Sequence, residues 1–269
     1  MGGEMAQLIV TDPPYNVNYE GTAGKIANDN MDGAAFYSFL HKAFANACRN
    51  ARAGAGIYVW HADGESRNFR QAFCDAGFDL KQCLIWVKNG LVLGRQDYQW
   101  RHEPCLYGWK PGAAHYFIDD RTNDTVIDDT ERPNLKSMKK EQLLEFAENI
   151  LEKMDRTPQS VIYCDKPLRN AEHPTMKPLR LIGKLIHNSS KKGWVVLDLF
   201  GGSGSTMMSC EALGRKCYTM EYDPRFVDVI IKRWEQATGG TAKLIQRRDT
   251  DEHIQSTGNG EKVLDAAAV

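Results

Sequence analysis

The sequence predicts a doubly wound α/β fold on a mostly parallel sheet. Three observations carry that prediction. Leu8-Ile9-Val10 is continuously apolar, like a strand buried on both faces of a parallel sheet, and Pro13-Pro14 ends it because neither proline can donate to a ladder. Far downstream, Trp194 to Leu197 is a second such run, closing on Asp198 and a glycine-rich turn that opens a helix. Between and beyond these runs, strand-like and helix-period segments alternate, as they do where helices cover both faces of a parallel sheet. A chain of 269 residues suffices for one such domain carrying a small, partly helical insertion.

The elements follow in order. Asp12 and Tyr15 stand at the C-terminal edge of the first strand, where open α/β sheets bind ligands. Asp12 and the Pro13 carbonyl are neighbouring acceptors suited to the two N–H donors of an exocyclic amine. Pro14 biases Pro13 toward extended geometry, and Tyr15 offers a ring to stack on a base. An ordinary strand-to-loop turn is the competing reading. Asn16 to Asp32 is polar and reads either as a mobile lid or as a solvated loop. Gly33 to Arg52 has helical spacing, and Ala55 to Trp60 is a strand ending at His61 and Asp63, where a structural histidine is the plainer reading. A helix is expected over Ser66 to Ala76 and a strand over Phe78 to Val87. Gly94 to His102 mixes basic and aromatic residues, a composition suited to phosphates and unstacked bases. His102 to Lys110 is another strand. From His115 to Ala171 the chain turns polar, broken by an amphipathic helix from Ser137 to Asp155.

The second half begins with a helix from Lys177 to Ser190. The strand at Trp194 and a helix over Ser203 to Leu213, capped by Gly214, come next. A P-loop needs Lys-Ser/Thr after its last glycine, and a dinucleotide fingerprint needs a different glycine spacing, so neither fits Gly201 to Ser205. Arg215 to Glu221 is a strand with an acid at its tip, placed to hold a ribose diol. Asp223-Pro224 starts a helix running to Gln236, Thr241 to Gln246 is a last strand, and Asp249 to Val269 reads as a disordered tail.

Composition narrows the function classes. A net charge of −1 gives no global pull toward nucleic acid, so any such affinity must come from a local basic face. The seven cysteines include no CxxC pair and read as reduced, with neither a disulfide framework nor a metal site. The absence of a long apolar run or a secretory signal predicts a cytoplasmic protein that makes no use of a membrane.

Asp12-Pro13-Pro14-Tyr15, His173-Pro174-Thr175-Met176-Lys177-Pro178 and Asp198 to Gly204, in that order, resemble the motifs of β-class amino-group DNA methyltransferases. The resemblance runs almost continuously from Leu8 to about Ala242, and it is closest to phage-type adenine methylases found alone or fused to a partition-protein-like domain. It implies the class I methyltransferase fold with a seven-stranded sheet. The implied chemistry is methyl transfer from S-adenosylmethionine to adenine N6 in double-stranded DNA, by a bacterial or phage-encoded enzyme. Catalysis falls on Asp12, Pro13, Pro14 and Tyr15. Cofactor contacts fall on Asp12, His173, Thr175, Lys177, Asp198, Phe200, Gly201, Gly202, Ser203, Gly204, Ser205, Glu221 and Asp223. Candidate DNA contacts are Lys25, Asn28, Arg95, Tyr98, Arg101, Arg132, Lys136 and Arg169.

The domain divides accordingly into a catalytic half over residues 1–114, a target-recognition insertion over 115–171, a cofactor half over 172–248 and the tail over 249–269. Homodimers are common in the class, and the short lead-in before Leu8, which lacks the family's adenine-contacting acid, suits a longer chain or an N-terminal fusion. The runner-up substrate is cytosine N4, and a non-catalytic DNA-binding module with the same fold is the reading from another class. Pro104-Cys105 also matches the nucleophile of cytosine-C5 enzymes, a chemistry that would leave Asp-Pro-Pro-Tyr without a role.

Overall fold

The computed structural model describes residues 1–18, 20–21, 24–25, 28–92, 97–120, 123–128 and 176–245. The predicted Ser137–Asp155 helix and the tail lie outside them. The first half holds β1 (Ala6–Thr11), β2 (Glu20–Gly21), β3 (Gly24–Lys25), α1 (Gly33–Arg49) and β4 (Ala51–Trp60). A 3-10 turn (Asp63–Glu65), α2 (Ser66–Asp75), β5 (Asp79–Val92), β6 (Trp100–Trp109) and β7 (Val126–Asp128) follow. The second half holds α3 (Leu179–Ser189), β8 (Val195–Asp198), α4 (Ser205–Leu213), β9 (Lys216–Thr219) and α5 (Pro224–Thr238).

Seven strands form one sheet in the order β7-β5-β6-β4-β1-β8-β9. Only β6 runs against its neighbours; the β1–β4, β1–β8, β8–β9 and β5–β7 pairs are all parallel. β1 is central because its side chains alternate between two buried faces. Ile9 points into a cluster with Phe36, Leu40, Phe44, Phe69 and Phe73 beneath α1 and α2. Leu8 and Val10 point the other way, toward Tyr58, Trp60, Leu181, Leu185 and Ile186 under α3. All three are essentially inaccessible, so truncating Leu8 or Ile9 to alanine costs about 2–5 kcal/mol. Among the described residues no helix is long and apolar enough to cross a membrane.

One predicted strand is absent. Thr241 to Ile245 is irregular and exposed, with Leu244 and Ile245 in solvent. Gly239, in the left-handed region at φ 70°, ends α5, and Ala242 then donates back to the Glu235 carboxylate, so this segment never reaches the free edge of β9. The seventh strand is instead β7 at the opposite edge, where Ile127 pairs with Trp86.

Candidate active site

β1 and β8 lie side by side with Ile9 opposite Leu197, so the chain leaves the sheet twice through adjacent tips. The Leu199 N–H donates to the Thr11 hydroxyl at 3.3 Å, stitching the two exits together. Tyr15 and Phe200 pack against the same apolar cluster, and the Phe200 ring stands 5.8 Å from Phe39. Residues far apart in sequence therefore share one edge.

At that edge a lysine is driven into a nest of acids. Lys177 is only 6% exposed; its ammonium donates to Asp12 Oδ2 at 2.5 Å and to Tyr15 Oη at 3.0 Å, and stands 3.3 Å from Glu103 Oε2. The Tyr15 hydroxyl donates to Asp12 Oδ1 at 2.7 Å, with Glu103 Oε2 also in reach at 3.3 Å. Glu103 pairs in addition with Lys88. Indole faces back both cations, Trp60 at 5.2 Å from Lys177 and Trp86 at 5.4 Å from Lys88. Burial alone would push Lys177 down, but Asp12 and Glu103 outweigh it and hold the ammonium above its ordinary value. Burial would likewise raise Glu103; Lys177 and Lys88 overcome it and bring the carboxyl down to about 2. Tyr15 is held well above its usual range by burial and by the charges of Asp12 and Glu103, so it stays a hydroxyl donor.

The other tip is built from glycines and hydroxyls. A Cβ on Gly201 would stand 2.6 Å from Thr219 Oγ1, and Gly204 sits at φ 81° against Ile230, so neither position takes a side chain without strain. Gly204 caps α4 without a side chain, which leaves the first N–H groups of that helix available to an anion. Glu221 clamps the turn from outside, its two carboxylate oxygens accepting Gly202 N–H at 2.6 Å and Asp223 N–H at 2.8 Å. Ser205 Oγ donates to the Lys177 carbonyl at 2.9 Å and Ser209 Oγ to that of Leu179 at 3.1 Å, joining this turn to the lysine of the first tip. Asp198 is buried at the end of β8 with the Phe200 N–H on it at 3.1 Å. Its burial raises the carboxyl to about 7 against the hydrogen bonds that favour its charge.

Residues 6–233 match the family model described as DNA methylase. The chain belongs to that DNA methylase family. The methylase is 24% identical over 253 residues to the DNA adenine methyltransferase YhdJ of Escherichia coli (strain K12), covering 91% of this chain and 81% of that one. Its fold is similar to that of the M1.HpyAVI–SAM complex, with a TM-score of 0.57 at 19% identity over 86% of this chain and 90% of that chain. It is also similar to the cytosine-N4-specific PvuII DNA methyltransferase, with a TM-score of 0.59 at 16% identity over 86% of this chain and 80% of that chain.

Elsewhere in the methylase the expected site residues divide. His173, Thr175, Arg95, Arg132, Lys136 and Arg169 lie outside the described residues, as does the side chain of Lys25. Asn28 is exposed at φ 60°. The loop that carries it is clasped at its base, where Asn16 exchanges hydrogen bonds with the Met31 backbone and donates to Glu65. Tyr98 is 91% exposed, and Arg101 Nε donates to the Lys88 carbonyl beside the acid cluster. Asp223 caps α5 and pairs with Arg225, which holds its carboxyl below the usual range. His61 is buried against Phe69, and burial with Arg70 nearby takes it down to about 4, a neutral ring. Its Nδ1 has no hydrogen-bond partner among the described residues. Cys105 is fully buried and burial pushes its thiol well up, the opposite of what a nucleophile requires.

The resemblance implies a cofactor contact for Lys177, whereas its ammonium faces Asp12, Tyr15 and Glu103. The sequence reading missed Glu103 and Lys88. Period-2 alternation carried the signal: Glu103 shares a strand face with Cys105 and Tyr107, and Lys88 shares one with Leu84 and Trp86, all buried in one cluster. A charge that continues a buried face needs a counter-charge.

Proposed function

We propose that this DNA methylase transfers a methyl group from S-adenosylmethionine to the exocyclic N6 of an adenine rotated out of double-stranded DNA. The observation that carries the reading is the junction of the two strand tips, an acid-proline-tyrosine turn beside a glycine turn with a free helix start. The residues present fit the cofactor. Gly201 and Gly204 let the turn pack against Thr219 and Ile230 with no side chain over its backbone, the α4 N–H groups suit a carboxylate, and Glu221 keeps lone pairs for ribose hydroxyls. Bound there, the cofactor supplies an electrophilic methyl on a sulfonium.

The chain's own groups do the rest. Asp12 Oδ1 and the Pro13 carbonyl accept the amine N–H bonds and turn the nitrogen lone pair outward, while Tyr15, anchored through its hydroxyl, stacks on the base. Holding both reactants in line supplies much of the acceleration. Lys177 orients Asp12 as an acceptor, and the amine proton, made acidic as the nitrogen takes the methyl carbon, would pass to Asp12 Oδ1 and from there to water.

Catalytic residues thus belong to residues 1–114, cofactor residues to 172–248, and target recognition to 115–171. The enzyme works in the cytoplasm on bacterial or phage DNA. A second copy of the chain is a partner to be tested by sedimentation. Cytosine N4 presents the same two N–H donors and is the second reading, supported by the fold shared with the PvuII enzyme. Incubation with labelled S-adenosylmethionine and unmethylated DNA, followed by nucleoside mass spectrometry, decides. N6-methyladenine is expected, N4-methylcytosine transfers the assignment to the second reading, and no modified nucleoside leaves a binding module.

A further inference from the structure

Glu103 has no part in the scheme just described, yet it sits in the middle of the site. Its side chain is 19% exposed, inside a strand whose neighbouring inward residues are apolar. A charge in such a place is costly unless paired, and a well-packed apolar residue usually serves stability as well or better. Here two lysines hold it ionised. Tyr15 has a single hydroxyl proton, and two carboxylates stand within reach of it, Asp12 Oδ1 at 2.7 Å and Glu103 Oε2 at 3.3 Å. Lys177 meanwhile donates onto the phenolic oxygen at 3.0 Å. An amine that is to bind Asp12 Oδ1 must compete with that phenol, and a displaced phenol proton needs another acceptor.

We propose that Glu103 is a positioning residue of the methyl transfer, holding the Lys177 ammonium against Asp12 and accepting the Tyr15 hydroxyl when the target amine claims Asp12 Oδ1. The proposal rests on the reading of Asp12 and Tyr15 as the amine-binding pair. Its geometry needs no movement of the ring, only rotation of one O–H about a fixed oxygen. Pinned by Lys88 and Lys177, Glu103 stays put during the exchange. The groups facing Lys177 are Asp12 and Tyr15 from the β1 tip and Glu103 and Cys105 from β6, with Lys88 of β5 across Glu103. The two acids and two lysines cancel, so the amine meets a carboxylate whose charge is balanced.

The test uses the full chain, tritiated S-adenosylmethionine and PCR-amplified, hence unmethylated, DNA. With E103Q, single-turnover transfer is expected to slow by about 10-fold or more, as for a misplaced reacting pair, while cofactor affinity by calorimetry stays within about twofold. The alkaline limb of the rate should also move down by about one pH unit or more, because a buried Lys177 left with one carboxylate gives up its proton more readily. E103D keeps the charge and should restore the limb while transfer remains slowed. A wild-type rate and limb in E103Q overturns the proposal, as does a loss uniform in pH with an equal fall in cofactor affinity. If E103Q gives no cooperative melt, E103D alone decides, and unslowed transfer there overturns it. D12A is run alongside: transfer by D12A brings down the proposed function itself, whereas an inactive D12A with an unimpaired E103Q removes only the role of Glu103.

Discussion

Two carboxylates at one sheet edge have been treated in opposite ways. Glu103, on the catalytic side, lies between Lys177 and Lys88 and is held down to about 2. Asp198, on the cofactor side, has hydroxyl and N–H partners, no lysine or arginine pairs with it among the described residues, and burial carries it up to about 7. Burial is the largest influence on both. Cations decide the outcome, because hydrogen bonds to neutral donors recover only part of a buried anion's lost hydration. Glu103 is thereby committed to charge at any physiological pH, and Asp198 is left able to take a proton.

That contrast can be broken from either end. Asp12→Ala removes the acceptor itself, and methyl transfer should fall by at least about 10²-fold with cofactor affinity largely intact, measured by single-turnover assay and calorimetry. Full activity would falsify its role. Lys177→Met leaves Glu103 and Asp12 without their shared cation and should cost about 3–5 kcal/mol of stability in denaturant unfolding, as for other broken buried pairs. An unchanged midpoint would mean that Lys88 alone neutralises the cluster. On the cofactor side, Glu221→Ala should weaken S-adenosylmethionine binding by about 1.5–3 kcal/mol, the scale of a lost charged hydrogen bond, and equal affinities by calorimetry would contradict it.

The smallest effect sharpens the comparison through pH. The folded value of Asp198 lies above its unfolded value of 3.8, so its contribution to stability is full below that pH and is lost as pH rises through about 7. Asp198→Asn removes the loss. Its melting temperature should come closest to wild type below pH 3.8, pull ahead as pH rises toward about 7 and exceed it by several degrees at pH 9, and a gap that narrows with rising pH would count against the buried charge.

The meeting of the two tips could be read in advance because each was marked twice, by an apolar run and by turn residues with few alternatives. Glu103 and Lys88 were harder: alternation marks each as continuing an apolar face, but which side chains meet them there follows from the order of the sheet. Thr241 to Gln246 was misread for the converse reason. Its β-branched and apolar residues fit a strand, yet a strand exists only where a neighbour supplies a ladder, and the turn at Gly239 and Gly240 carries the chain elsewhere. Val126–Asp128 has a partner in β5 but is too short to show a period.

The hydroxyl of Ser205 reaches the backbone of Lys177 and the Leu199 N–H reaches Thr11, so short bonds tie the glycine turn to the acid-proline turn. Stiffening one compartment must then be felt in the other. By reciprocity, whatever affinity a ligand at one turn adds at the other is returned in equal measure.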